Sequence, residues 1–262
     1  MNLGLAGAAV LVVGGSRGIG RASALRFAEE GASVAIAARD PAILDEAAAE
    51  ISARAAIRPL VVRCDCAQPA EVEALMAEVV GTLGGLDVLV NSVGAARGGR
   101  FLDLGEADWM ESLDGKLHAQ IRCCRAALPY LRRRGQGAIV NVIGHRGKQP
   151  DGRALPAGVA NAGLMNFTIG LAAEEAAHGI RVVGVNPAPV ETRRLQSVFE
   201  TEARLLGVSV EEARRRWLSH VPLGRAADAG EIADVVVFLA SQRASFITGT
   251  IVHCDGGATR AL

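Results

Sequence analysis

The chain has 262 residues, half of them hydrophobic, enough to bury a sizeable core within one large domain. Its 28 basic and 28 acidic residues cancel, so no long-range field favours nucleic acid or an anionic membrane, and neither is expected as a partner. Five cysteines (Cys64, Cys66, Cys123, Cys124 and Cys254) show no metal-binding spacing with the five histidines and read as reduced, structural thiols.

In chain order, the opening MNLGLAGAAVLVVGGSRGIG has no basic region ahead of its apolar run, and glycines break that run after Val13. It reads as a buried strand rather than a signal peptide. No stretch is long and apolar enough to span a bilayer, so a soluble, cytoplasmic protein is expected. Short β-branched runs then alternate with longer Ala-rich segments of helical period. Strands are predicted at 9–13, 33–37, 60–64, 86–91, 138–143, 181–185 and 251–254. With helices between them they build parallel βαβ units, and hence an α/β, doubly wound, seven-stranded parallel sheet.

Asp40-Pro41 reads as a cap followed by a first-turn proline, and Gly31, Gly135 and Gly179 as helix stops. Alternation at the end of the third strand points the thiols of Cys64 and Cys66 to one face. Residues 192–223 depart from the strand and helix alternation with two charged helical patterns, ETRRLQSVFETEARLL and SVEEARRRWLSHV. They form either a helical substrate lid or a solvated helical pair at a subunit edge.

Right-handed crossovers put ligands at the carboxyl ends of the strands. There, after the first strand, stands Gly14-Gly15-Ser16-Arg17-Gly18-Ile19-Gly20. Glycine permits positive φ and close approach to a pyrophosphate, while the following helix N-terminus supplies unpaired N–H groups. The second strand ends Ala37-Ala38-Arg39-Asp40, with Ala38 where an acid would accept bonds from a free ribose 2′-hydroxyl. Arg39, helped by Arg17, can instead clamp a 2′-phosphate, so NADP(H) is preferred over NAD(H). The alternative is that Arg39 pairs with Asp40 or lies solvated.

These residues resemble the short-chain dehydrogenase/reductase family over essentially the whole chain. Gly14-x-x-x-Gly18-Ile19-Gly20 is similar to its cofactor turn, with Val13 in place of the usual threonine. Asp65, followed by Cys66, matches the acid that members aim at adenine. Asn91-Ser92-Val93-Gly94 resembles the Asn-Asn-Ala-Gly element after strand four. Asn186-Pro187-Ala188-Pro189-Val190-Glu191-Thr192 resembles the Pro-Gly motif, which implies that Pro187, Val190 and Thr192 hold the nicotinamide carboxamide. The tail from Val221 to Gly257 is close to the family's last helix and strand. The resemblance implies a Rossmann-like single domain over 1–262, hydride transfer between a nicotinamide and a small-molecule carbonyl or alcohol, and a homotetramer or dimer formed through 231–240 and 250–254.

It also implies an active site of serine, tyrosine, lysine and asparagine, and here the sequence departs. Ala157 stands at the tyrosine, Asn161 at the lysine, Gly144 at the serine and Lys116 at the asparagine. The one tyrosine, Tyr130, lies fourteen residues beyond Lys116 on a predicted helix, about 21 Å along its axis. Without a proton partner the reaction would lose about 10²–10⁴-fold. The candidate substitutes are Lys116, whose pKa desolvation would lower, and His145, which can move a proton near pH 7; the alternatives are a buried amine satisfied by strand-end carbonyls and an exposed loop histidine. The charged loop HRGKQPDGR fits an acidic or thioester substrate. Three readings stay open: an NADP(H)-dependent oxidoreductase with a rearranged acid/base set, a cofactor-binding partner or regulatory subunit without catalysis, and a dehydratase- or isomerase-type enzyme in a pocket lined by groups such as Ile143 and Leu155.

Overall fold

The computed structural model describes residues 2–94 and 96–260. In chain order it runs β1 (Ala9–Val13), α1 (Gly18–Glu29), β2 (Ser33–Ala38), α2 (Pro41–Ala55), β3 (Leu60–Arg63), α3 (Pro69–Leu83), β4 (Val88–Asn91), α4 (Glu106–Leu113) and α5 (Ala119–Arg134). It continues through β5 (Gly137–Val142), α6 (Leu155–Glu175), β6 (Ile180–Pro187), α7 (Arg193–Leu206), α8 (Val210–Leu218), α9 (Ala229–Ala240) and β7 (Ile251–Cys254). The seven strands form one sheet in the order β3-β2-β1-β4-β5-β6-β7, every pairing parallel. The strand order reverses between β1 and β4, the switch point where such sheets open a ligand crevice.

All five residues of β1, AVLVV, are buried, as a central parallel strand with helices on both faces requires. Its side chains alternate between two cores. Val10 and Val12 join the layer with Phe27, Leu44 and Val236. Leu11 and Val13 join the one with Val72, Leu131 and Ile139. Outside the sheet, α7 and α8 close over a third cluster built on Leu195, Phe199 and Leu218, where Trp217 meets Phe199 edge-on with centroids 6.0 Å apart. This excursion is pinned at its base, because Glu191 N–H donates to Ala227 O and Ala227 N–H to Pro189 O.

All seven predicted strands are present, within two residues at each end. The fourth starts at Val88 rather than 86, where the Asp87 carboxylate accepts from Ala9 N–H. The sixth extends to Pro187 because Pro187 still pairs with Cys254. Asp40 caps α2 through Ala42 and Ile43 N–H, with Pro41 in the first turn. Gly135 and Gly179 end helical segments with φ of 68° and 72°. All five cysteines are free; Cys64 and Cys66 are both buried, and Cys66 and Cys123 bring their sulfurs to 3.8 Å. No helix among the described residues is long and apolar enough to cross a membrane.

One predicted helix carries an irregularity. Lys116 and Tyr130 do lie on one continuous helical run, but it is not a regular α-helix, because a π-helical turn at Asp114–His118 stands between α4 and α5. Such a bulge rotates the residues that follow it and is a frequent device at functional sites. Here it carries Lys116 into the interior, while Tyr130 packs its ring against the α5 core side beneath Arg133.

Candidate active-site cleft

A cavity of about 940 Å³ runs along the carboxyl ends of β1, β4, β5 and β6. Its floor at β1 is made by glycine. Gly14 has φ of 81°, and a Cβ there would come within 2.4 Å of Ser92 O. One at Gly20 would lie 2.1 Å from Gly14 O. The turn can therefore fold this tightly only without side chains. It delivers Ser16, Arg17, Gly18 and Ile19 to the cavity wall. The N-cap of α1 is Arg17, with no side chain bonding the helix's first N–H groups, so they remain available to an anion.

At the β4 and β5 ends the wall is formed by Val93, Gly94, Gly144, His145 and Arg146, with Lys116, Ala157 and Asn161 behind them. Gln120 reaches from α5 to donate to Val93 O at 3.1 Å and Val142 O at 3.3 Å, tying the two strand ends together. Asn186 accepts from Gly144 N–H at 3.1 Å and meets His253 Nδ1 at 3.0 Å. Neither of these fastenings is signalled in the sequence beyond an amide residue in a helix and another before a proline. The short turn at His145–Gly147 is pressed onto α6, since a Cβ on Gly147 would lie 2.7 Å from Ala162 N.

At β6, Pro187, Val190 and Thr192 line the cavity, followed by Arg193 and Arg194 from the start of α7, and Trp217 closes that end. Thr192 caps α7 through Leu195 N–H. Arg194 donates to Gly94 O at 3.3 Å, bridging the cleft from the β6 side to the β4 side. Arg194 escaped the sequence reading, although its place two residues after Thr192 was a usable signal.

Not every residue singled out in the sequence lines the cavity. Gly14 and Gly20 act beneath it as described. Arg39 is exposed at the end of β2, and among the described residues no carboxylate pairs with it, because Asp40 is engaged in capping α2. Asp65 turns the chain after β3 by accepting from Ala67 N–H, and Cys66 O accepts from Arg122. The Asn91 side chain lies inside the sheet, donating to Asn141 Oδ1 at 2.9 Å. Leu155 is absent from the cavity lining, whereas Ile143 is part of it.

The electrostatics of the β4–β6 end are distinctive. Lys116 is 8% exposed, and burial, then the nearby positive charge of Arg194, lower its pKa from 10.5 to about 7. Burial, then Arg146, pushes His145 below its ordinary range against the opposing pull of Asp255 and Asp151. Arg194 is likewise lowered by burial and by Arg146. An amine near half-protonation at neutral pH can give or take a proton, and cations crowded together in a cleft attract an anion.

A doubly wound parallel sheet with a glycine turn at its switch point and a cleft across it defines a Rossmann-like α/β protein. A family model described as enoyl-(acyl carrier protein) reductase matches residues 13–259. The 3-oxoacyl-(acyl-carrier-protein) reductase FabG of Staphylococcus aureus is 32% identical over 250 residues, 94% of this chain and 96% of that protein. Among solved structures, L-sorbose reductase from Gluconobacter frateurii complexed with NADPH and L-sorbose superposes with a TM-score of 0.95 at 31% identity, covering 100% of both chains. A variant actinorhodin polyketide ketoreductase with NADPH gives 0.93 at 34% identity over 96% of this chain and 97% of that one. The chain belongs to the short-chain dehydrogenase/reductase family.

Proposed function

We propose that the chain is an NADP(H)-dependent oxidoreductase acting on the carbonyl or hydroxyl group of a small molecule, with Lys116 and His145 replacing the family's tyrosine as proton carriers. The observation that carries this reading is a lysine, Lys116, buried and lining the same cavity as the glycine turn, where burial lowers its pKa. The residues fit the dinucleotide. A turn that tolerates no Cβ at Gly14 or Gly20 leaves room for a pyrophosphate against the N–H groups of α1. Gly18, Ile19, Val93 and Gly94 complete the surface along the cavity, Asn91 would support it from inside the sheet, Asp65 and Cys66 would bound the adenine end after β3, and Arg39 with Arg17 would hold the 2′-phosphate. Two similar structures contain NADPH, which supports the preference for NADP(H) over NAD(H).

When bound, the nicotinamide supplies or accepts the hydride. The chain's own residues do the rest. On this assignment Gly144, Ala157 and Asn161 occupy the serine, tyrosine and lysine positions, and none of them titrates. A serine cannot simply return at 144, because Gly144 has φ of 132° and a Cβ there would lie 2.9 Å from Asn161 Nδ2. Asn161 Oδ1 is buried without a hydrogen-bond partner, and an unsatisfied acceptor at the cavity wall suits a ribose hydroxyl. Pro187, Val190 and Thr192 face the carboxamide position. Lys116 Nζ, when protonated, would hold and protonate the substrate oxygen, and His145 would return the proton from solvent. Residues 192–223 would form the lid, hinged at the pinned base Glu191–Ala227, and a homotetramer or dimer would form through 231–240 and 250–254.

A second reading, a cofactor-binding subunit without catalysis, is favoured by the loss of every titratable group at positions 144, 157 and 161. Turnover separates the two. NADPH deuterated at the transferred position is incubated with a panel of carbonyl compounds, and deuterium is sought in the products by mass spectrometry. Label transfer that drops by about 10²–10⁴-fold in Lys116→Met supports the reductase reading. Transfer unchanged in both Lys116→Met and His145→Ala removes those residues from the mechanism, and no transfer to any carbonyl favours the inactive subunit.

A further inference from the structure

The cavity wall at the β4–β6 end carries more positive charge than holding a neutral carbonyl requires. Lys116, Arg146 and Arg194 all line it; the Lys116 stem lies against Gly94, where a Cβ would come within 2.5 Å of Lys116 Cγ, and Gly94 O accepts from Arg194 at 3.3 Å. Of the carboxylates nearby, one is committed elsewhere and one meets Arg146 through a single oxygen. Glu191 is bound to Arg214, and Asp151 reaches Arg146 through one oxygen at 3.1 Å. That pairing uses Arg146 Nη2 and leaves Arg146 Nε buried with no partner. An unpartnered guanidinium N–H shut away from water costs free energy that a bound acceptor would recover.

The fold holds these groups in place. Gly147 lies against the backbone of α6 and leaves no room for a side chain there, which fixes the turn carrying Arg146. Arg194 is anchored to Gly94 O. The phosphate-binding features, the glycine turn and the start of α1, are at β1. The three cations line the β4, β5 and β6 ends, and the glycine turn reaches that side at Gly18, where a Cβ would come within 3.3 Å of Thr192, so phosphate is the competing anion.

We infer that Arg146 and Arg194, beside Lys116, form a subsite for a carboxylate carried by the substrate itself, so that the molecule reduced or oxidised is an oxo or hydroxy acid. This rests on reading the cleft as a cofactor and substrate site. Arg146 offers the directional N–H groups that a planar carboxylate matches. Arg194 neutralises the remaining charge, the carboxylate relieves the repulsion between the two guanidinium groups, and Lys116 is left to the substrate oxygen.

The test uses malonate as the probe, titrated by calorimetry into the full-length protein saturated with NADPH, with malonamide and inorganic phosphate as comparisons. Malonate is expected to bind and malonamide not. Arg146→Gln and Arg194→Gln should each weaken malonate by about 10- to 100-fold, the value of a charge-assisted hydrogen bond, and Arg146→Lys should recover part of the loss. If Arg146→Gln fails to fold, Arg194→Gln, in the first turn of α7, carries the test.

Malonate that does not bind, that binds no better than malonamide, or that is displaced by NADPH overturns the inference. So does phosphate binding more tightly than malonate. Should NADPH itself not bind, the same titration is run on the free protein. Malonate binding that is lost in the variants then keeps the anion subsite while the redox reading falls, and no binding removes both.

Discussion

Replacing Lys116 by Met should stabilise the protein, and by an amount that depends on pH. The side chain is buried, and no carboxylate contributes to its pKa; burial and the charge of Arg194 are the two influences on it. A pKa lowered from 10.5 to about 7 corresponds to about 5 kcal/mol, an upper bound on the cost of keeping the amine protonated inside the fold below pH 7. Because the folded pKa is depressed, the unfolded chain holds the extra proton between about pH 7 and 10.5. Wild-type stability from this group therefore rises with pH across that window, while the Met variant has no such proton to lose.

Urea unfolding at pH 6 and pH 9 reads the effect directly, provided the denaturant slope is unchanged. The variant should be more stable by several kcal/mol at pH 6, and its advantage should shrink by about 3 kcal/mol at pH 9. An equal difference at both pH values, or a destabilised variant, would mean that Lys116 is solvated or paired, and the proposed proton carrier would lose its basis.

Three further substitutions probe other parts of the account. Arg39→Asp should weaken NADPH by about 10- to 100-fold relative to NADH, the value of charge-assisted bonds to a phosphate; an unchanged ratio of the two dissociation constants would remove the clamp. Gly144→Ser should cost about 1–3 kcal/mol in urea unfolding, from its φ of 132° and the approach to Asn161, and a neutral result would show that the turn adapts. Arg181→Met should cost about 2–4 kcal/mol, because Arg181 donates to the carbonyls of Leu239, Ala240, Ser241 and Ile247 at 2.7–3.2 Å. Arg181→Lys should restore only part of that, lacking the planar fork, and full rescue would refute the multi-carbonyl role.

The sequence made the sheet legible because buried parallel strands write themselves as β-branched runs. AVLVV of β1 is buried on both faces, and the glycines after it are demanded by backbone contacts at Gly14 and Gly20. Strand ends were less legible, since Asp87 and Pro187 keep or break pairing through contacts with other strands. The cleft was visible as motifs at strand ends, and so were Lys116 and His145 as titratable groups nearby. The joining of Arg194 to Gly94, 100 residues apart, was not, nor was the π-helical turn that carries Lys116 inward. Both arise from packing between distant segments, which local spacing cannot express.

The most direct measurement is a titration of the purified protein with NADPH and with NADH, followed by tryptophan fluorescence, since Trp217 lines the cavity. Saturable binding of NADPH, tighter than that of NADH, is the expected result and would establish that the cleft keeps its cofactor despite Asn161 at the position of the ribose-gripping lysine. Failure of either nucleotide to change the fluorescence, confirmed by calorimetry, would contradict the account, and the chain would then be pursued as a subunit that keeps the fold without the cofactor.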